Sequence, residues 1–262
     1  MNAKQIREIR QRVCSGLQGE VVEIGFGTGH NLPFLPAEVT RLRAVEPSQR
    51  SIALARKRIA ASEVPVKVVG LDGQHLPLEN DSADAVLCTW SLCTIPEPEA
   101  AACEMARVLT PDGQLHFAEH GRAPDHGVRR WQDRLNGIQQ RVGGGCHLNR
   151  DIPSIIEAAG MKITRLDTHY AKDIPKPYAF MYEGAAAAGL PGLCKRPSAG
   201  RDRSSSSGSP RRSHRSLGPS AARPHCGEPG LSGLRRCPSC PGPRGRGCGS
   251  GTRSSPGSPR RR

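Results

Sequence analysis

Met1 to Glu20 is polar and charged and contains no apolar run. No signal peptide or membrane span is expected there, and the chain reads as cytoplasmic. The first 190 residues also lack any C-x-x-C spacing, although Cys14, Cys88, Cys93, Cys103 and Cys146 all fall among them. In a reducing compartment these five read as reduced thiols, mostly small apolar filler. Residues 191–262 contain no Phe, Trp, Tyr, Ile, Val or Met, and 54 of these 72 residues are Gly, Pro, Ser or Arg. Such a segment cannot bury a core and is expected to be a disordered tail. No internal repeat is visible.

Charge follows the same division. Residues 1–190 carry 22 Lys+Arg against 22 Asp+Glu, whereas 191–262 carry 16 against 2, so the net +14 lies in the tail. One domain of ordinary size is expected over 1–190. Its zero balance argues against a basic nucleic-acid groove. The Arg-Ser and Arg-Gly patches of the tail read either as a non-specific hold on RNA or as GC-rich codons translated in a wrong frame. Cys237-Pro-Ser-Cys240 has no regularly spaced second ligand pair and no apolar ribbon around it, so no metal is expected.

What the chain does have is the run VVEIGFGTGHN, Val21 to Asn31. Val21, Val22 and Ile24 read as a short buried strand, and Gly25, Gly27 and Gly29 allow a sharp turn and the close approach of a ligand. A dinucleotide fingerprint would need a small residue where His30 stands. The pattern E-x-G-x-G-x-G instead resembles motif I of the class I S-adenosylmethionine-dependent methyltransferases. That resemblance implies S-adenosylmethionine as cofactor, with Glu23, Gly25, Gly27, Thr28, Gly29 and Asn31 around it.

Further strands extend the reading. Leu42–Val45 ends in Glu46, which is placed to take both ribose hydroxyls of an adenosyl group. Val66–Val69 is followed by LDGQHLPL, where the resemblance assigns Asp72 and Gly73 to adenine. Asp84 opens a fourth strand whose last carbonyls, near Cys88 and Thr89, would face the methionyl amine. Glu23, Glu46, Asp72 and Asp84 thus read as a series of acids at successive strand ends. A helix over Glu97–Leu109, a tight turn at Pro111–Gly113 and a fifth strand follow. Helical stretches such as Arg50–Ala61 alternate with these strands, predicting an α/β doubly wound, seven-stranded, mostly parallel sheet of Rossmann-like methyltransferase type. A basic amphipathic helix over Val128–Val142, a short helix over Ile152–Ala159 and strands over Met161–Asp167 and Tyr178–Tyr182 complete it. Only one short helix fits ahead of the glycine turn, where the family commonly carries several, hinting at a shortened start.

The acceptor is read from the second half. The segments CTWSLCTIPEPE, FAEH and GGGCHLNRDIP resemble the methyltransferase-like thiol S-methyltransferase family and its bacterial type 11 relatives. Cys88-Thr89, Leu92-Cys93-Thr94, Glu119-His120 and Gly145-Cys146-His147-Leu148-Asn149-Arg150 carry that likeness. It implies a small-molecule acceptor, a lipophilic thiol. His120, expected at the C-terminal end of strand five, is the best-placed base for it, or else a structural partner of the GGGC loop. Glu119 then orients His120 or caps a helix, Cys93 stands by the acceptor, and Trp90 lines the acceptor pocket or packs on the helix over Glu97–Leu109. Phospholipid or quinone methylation, a non-catalytic adenosyl binder and a nucleic-acid binder acting through the tail remain alternatives. A monomer is expected.

Overall fold

A computed structural model describes residues 1–70 and 72–189; the expected tail, 191–262, lies outside the described residues. The elements are α1 (Ala3–Cys14), β1 (Gly19–Ile24), β2 (Val39–Val45), α2 (Gln49–Ala60), β3 (Val66–Gly70) and β4 (Ala83–Thr89). They continue as α3 (Pro98–Val108), β5 (Leu109–His120), α4 (His126–Val142), α5 (Ile152–Ala158), β6 (Lys162–Tyr170) and β7 (Phe180–Ala187). Seven strands make one sheet in the order β3-β2-β1-β4-β5-β7-β6. The first five run parallel, and β7 lies antiparallel to both β5 and β6.

The local chemistry explains these elements. β4 reads ADAVLCT and is buried at every position except Asp84, as a central strand covered on both faces must be. Helix starts are fixed by side chains: Asn2 Oδ1 accepts from the Gln5 N–H at 3.0 Å, and Ser48 Oγ from the Ser51 N–H at 3.1 Å. Each satisfies a donor that the first helical turn leaves open. One apolar cluster lies against α3 and α5 and includes Leu92, Met105, Phe117, Ile152 and Ile156. A second lies against α1 and α2 and includes Ile9, Val13, Leu42, Ala55 and Leu87. α4 packs least, leaving Trp131, Ile138 and Val142 exposed.

Two expected features come out differently. Pro111–Gly113 is not a separate turn: β5 runs through it, and the register with β4 slips between Ala83–Leu109 and Ala85–Gln114. The glycine and proline are accommodated as a bulge beside an edge of pairing, not as a chain reversal. The closing strand also extends past the expected Tyr182, because Glu183 to Ala187 continue to pair with both neighbours. Gly184 makes this possible, since a Cβ there would meet the Phe117 ring at 2.7 Å.

The sheet order creates the place for chemistry. The chain steps from β1 outward to β3, then returns to β4 on the other side of β1, so strand order reverses between β1 and β4. Ligands in open α/β sheets bind outside the carboxyl ends of the strands at such a reversal. Phe117, fully buried at the centre of the sheet, tests the packing behind it. Phe117→Ala is expected to lower unfolding stability by about 3–5 kcal/mol in urea titration. A loss within the roughly 0.5 kcal/mol typical of surface substitutions would contradict this core assignment.

Candidate functional site

The glycine turn leaves β1 with all three alternate glycines in the left-handed region, Gly25 at φ +72, Gly27 at +59 and Gly29 at +75. Their surroundings differ. A Cβ on Gly25 would collide with the Ser91 hydroxyl, so this glycine lets the turn close on the loop after β4. A Cβ on Gly27 would meet nothing nearer than the Gly25 carbonyl at 3.9 Å. Its backbone therefore faces open space, the condition for a ligand to approach the chain. The turn is tied to β2 by Gly25 and Phe26 N–H groups on the Val45 carbonyl, at 3.0 and 3.1 Å. Arg58 holds the Thr28 carbonyl at 3.0 Å.

Glu46 stands buried at the end of β2 and curls over this turn. One carboxylate oxygen accepts from the Gly27 N–H at 2.8 Å and the other from the Ser48 N–H at 2.9 Å. Each oxygen keeps acceptor capacity for a hydroxyl donor. Asp72 opens the turn after β3, accepting at 2.8 Å from the Gln74 N–H, a bond that holds its carboxyl below the usual range. A Cβ on Gly73 would reach Ile24 at 3.0 Å, so this turn is folded over the end of β1, beside the glycine turn. Asp84, grouped with these acids from the sequence, lies at the opposite edge: it opens β4 and accepts from the Glu20 N–H at 2.8 Å.

At the centre of the reversal a buried polar chain links β1, α1 and β4. Asn31 donates to Glu23 at 2.8 Å and to the Thr89 hydroxyl at 3.0 Å, while Arg10 donates to its amide oxygen. Glu23 Oε2 is buried with no hydrogen-bond partner among the described residues. Burial pushes the Glu23 carboxyl up to about 8, against the pull of Asn31 and Arg10. Arg10 also lies 4.8 Å from the centre of the Trp90 ring. Trp90 itself takes a left-handed φ of +51, a strained conformation for a bulky residue. Sequence reasoning missed Arg10, because nothing in the spacing of a short polar helix marks one arginine as facing the sheet edge.

The loop after β4 is organised by Glu119. This carboxylate is fully buried and accepts the N–H groups of Ser91, Leu92 and Cys93 at 2.7, 3.0 and 3.2 Å. The Cys88 thiol also points at it, 3.5 Å away, so Cys88 can offer the cleft only its backbone. Burial raises the Glu119 carboxyl, opposed by those N–H groups. Glu119 therefore sets the loop carrying Trp90 and Cys93, and does not itself reach toward an acceptor.

His120, the last residue of β5, meets the GGGC segment. Its Nε2 lies 2.8 Å from Cys146 Sγ, and its Nδ1 is buried without a partner among the described residues. Cys93, His120 and Cys146 gather their three ligand atoms within 4.8 Å of one another. Cys93 donates to Cys146, which drives the Cys146 thiol down and the Cys93 thiol up. Burial is the largest single influence and pulls the imidazole down, but its bond to Cys146, the charge of Cys146 and that of Glu119 act together against it and leave it raised. Further contacts sew the segments together: the His147 N–H reaches the Cys93 carbonyl at 2.8 Å, and Arg150 reaches the carbonyls of Leu92 and, at 2.7 Å, Ile95. The motifs CTWSLCT, AEH and GGGCHLNR are thus one structural unit.

The raised Glu23 carboxyl gives a pH signature. Its folded value of about 8 exceeds the ordinary 4.5, so the fold binds the extra proton and this contribution to stability is complete below pH 4.5. It is lost as pH rises through about 8. The ligand-free protein is expected to lose thermal stability across that window, and Glu23→Gln to flatten the loss. Parallel melting curves for the two proteins from pH 5 to 9 would contradict the assignment.

Comparison with known proteins bears on the family and the fold. A methyltransferase domain model matches residues 22–117. Thiol S-methyltransferase TMT1B of Mus musculus is 30% identical over 187 residues, spanning 69% of this chain and 72% of the relative. Demethylmenaquinone methyltransferase of Clavibacter sepedonicus is 31% identical over 123 residues, spanning 47% of this chain and 50% of the relative. A solved S-adenosylmethionine-dependent methyltransferase of Thermotoga maritima shares the fold with a TM-score of 0.53 at 22% identity, over 70% of this chain and 88% of that one. The chain belongs to the S-adenosylmethionine-dependent methyltransferases of the type 11 methyltransferase-domain family.

Proposed function

We propose that this methyltransferase acts on a small lipophilic thiol. The observation that supports it most is the convergence of the CTWSLCT, AEH and GGGCHLNR segments into one cluster at the strand ends. These are the segments that carry the likeness to thiol S-methyltransferases, and the mouse relative bears that name over most of its length.

The cofactor assignment follows from the cradle. The backbone at Gly25, Gly27, Thr28 and Gly29 approaches the ligand, and Glu46 accepts from the ribose hydroxyls with its remaining lone pairs. Asp72 and Gly73 flank the adenine. Glu23, with its unpaired oxygen, and Asn31 lie toward the cationic methionyl end, together with the carbonyls at Cys88 and Thr89. When bound, S-adenosylmethionine supplies an electrophilic methyl on a sulfonium. The acceptor thiol gives up its proton, its sulfur gains the methyl as the sulfonium bond breaks, and a thioether leaves with S-adenosylhomocysteine. Trp90 and Cys93 border the acceptor, Glu119 holds their loop, and His120, backed by Cys146, takes the proton. Residues 1–190 form the catalytic unit in this reading.

Three measurements test it. Glu46→Ala or Gly27→Leu should weaken S-adenosylmethionine binding by calorimetry at least tenfold, and unchanged affinity in both would refute the cradle. His120→Ala should lower kcat with thiols by roughly a hundredfold, the scale of general base catalysis, while cofactor binding persists. Mass spectrometry of products from a panel of thiols, phospholipid amines and quinols should show thiols reacting fastest. A phospholipid or quinol turned over faster than every thiol would overturn the acceptor class.

A further inference from the structure

We propose that Cys93, His120 and Cys146 form a site for a thiophilic divalent cation, with Zn²⁺ the best match and a fourth position left to a small ligand. The donor set is two sulfurs and one imidazole nitrogen, which zinc prefers over harder cations. The three residues come from the loop after β4, the end of β5 and the loop after α4, and their donor atoms already lie within 4.8 Å of one another. Zinc–sulfur and zinc–nitrogen bonds of about 2.3 and 2.0 Å place tetrahedral ligand atoms roughly 3.5 Å apart. Binding therefore requires the 2.8 Å contact between Cys146 and His120 to open and any donor separation near the 4.8 Å limit to close.

The framework allows that adjustment on one side and resists it on the other two. Cys93 is fixed by the Glu119 carboxylate on its N–H and by His147 on its carbonyl. His120 is anchored by its pairing with Met181 on β7. Cys146 instead follows Gly144 and Gly145, both at positive φ; nothing lies within 4 Å of a Cβ on Gly144, and Thr94 is no nearer than 3.6 Å to one on Gly145. This ligand can move by tenths of an ångström without displacing a strand. Cys93 and Cys146 are buried whereas His120 is half-buried as a residue, so the fourth position lies on the His120 side.

The consequence for catalysis rests on the thiol reading of the function. A thiol that occupies the fourth position of a zinc ion is deprotonated by coordination, and its proton passes to solvent. His120 then acts as ligand and the ion takes over its proton-accepting task. Cation binding itself does not depend on that reading.

Cobalt titration provides the test, because Co²⁺ in a tetrahedral thiolate site absorbs strongly through ligand-to-metal charge transfer and visible ligand-field bands. The protein is the full chain with Cys194, Cys226, Cys237, Cys240 and Cys248 changed to Ser, reduced and kept anaerobic, so that tail thiols cannot contribute. One equivalent of Co²⁺ should develop both bands, and Zn²⁺ should displace it. Cys93→Ser, His120→Ala and Cys146→Ser should each weaken cobalt binding more than about a hundredfold, beyond the loss typical of outer-shell changes. Retained S-adenosylmethionine binding shows that each variant is folded. No charge-transfer band in the reduced protein, or an equal band in the Cys93→Ser and Cys146→Ser variants, overturns the site. Cobalt bound without thiol turnover sinks only the acceptor reading, and undiminished thiol turnover without any bound cation sinks only the ion's part in catalysis.

Discussion

The buried Glu119 carboxylate is the constraint on which the acceptor side depends. A charge with no exposure to solvent is costly unless its oxygens are satisfied, and here three consecutive backbone N–H groups satisfy them. The exchange works in both directions. Ser91, Leu92 and Cys93 form a turn whose donors would otherwise be buried without partners, so the acid and the turn hold each other. Through that turn Glu119 sets the position of Ser91 against Gly25, of Trp90 against Arg10 and of Cys93 against Cys146. One side chain at the end of β5 thereby connects the glycine cradle to the thiol cluster.

That connection explains why the two halves of the domain meet where they do. The cradle belongs to β1 and β2, and the thiol cluster to β5 and the loop after α4. β4, between β1 and β5, is their common wall, and its exit loop touches both. On the far side, Arg107 on α3 secures the segment after β3 by reaching the Leu76 and Leu78 carbonyls, while Glu104 takes the Leu76 N–H at 2.9 Å. These contacts sit behind the turn at Asp72 and Gly73 and limit how far it can drift from the end of β1.

The sequence made the cradle legible because its chemistry is local. Three alternate glycines directly after an apolar strand have few uses, Glu23 lies in that strand, and Glu46 and Asp72 each follow within a residue or two of a strand. The seven-stranded sheet was legible for a similar reason, since alternating strand and helix periods repeat along the chain. Asp84 misled because a strand has two ends, and local pattern does not say at which end an acid will serve. The Pro111–Gly113 turn misled because a bulge and a reversal use the same residues. Arg10 and the cluster of Cys93, His120 and Cys146 were beyond local reading. Their partners lie 21 to 80 residues away in the chain, and only the sheet order brings them together. Cysteines without regular spacing looked like filler, which describes Cys14 and not Cys146.

The electrostatics of the cradle carry a further consequence. In the proposed placement, S-adenosylmethionine would bring a sulfonium and an ammonium, both cationic, to the buried Glu23 carboxyl, one oxygen of which has no partner among the described residues. In the absence of ligand that carboxyl is driven toward its neutral form by burial. A cation arriving beside it favours the ionised form and supplies the missing partner at the same time. Arg10 provides part of that charge from α1, but desolvation lowers its own pKa, and its amide partner is Asn31, not Glu23. The arginine therefore moderates the carboxyl without saturating it. On that placement the site would spend stability in the empty state and recover it on binding, so discrimination for a cationic cofactor would come from an acid the fold leaves only partly satisfied.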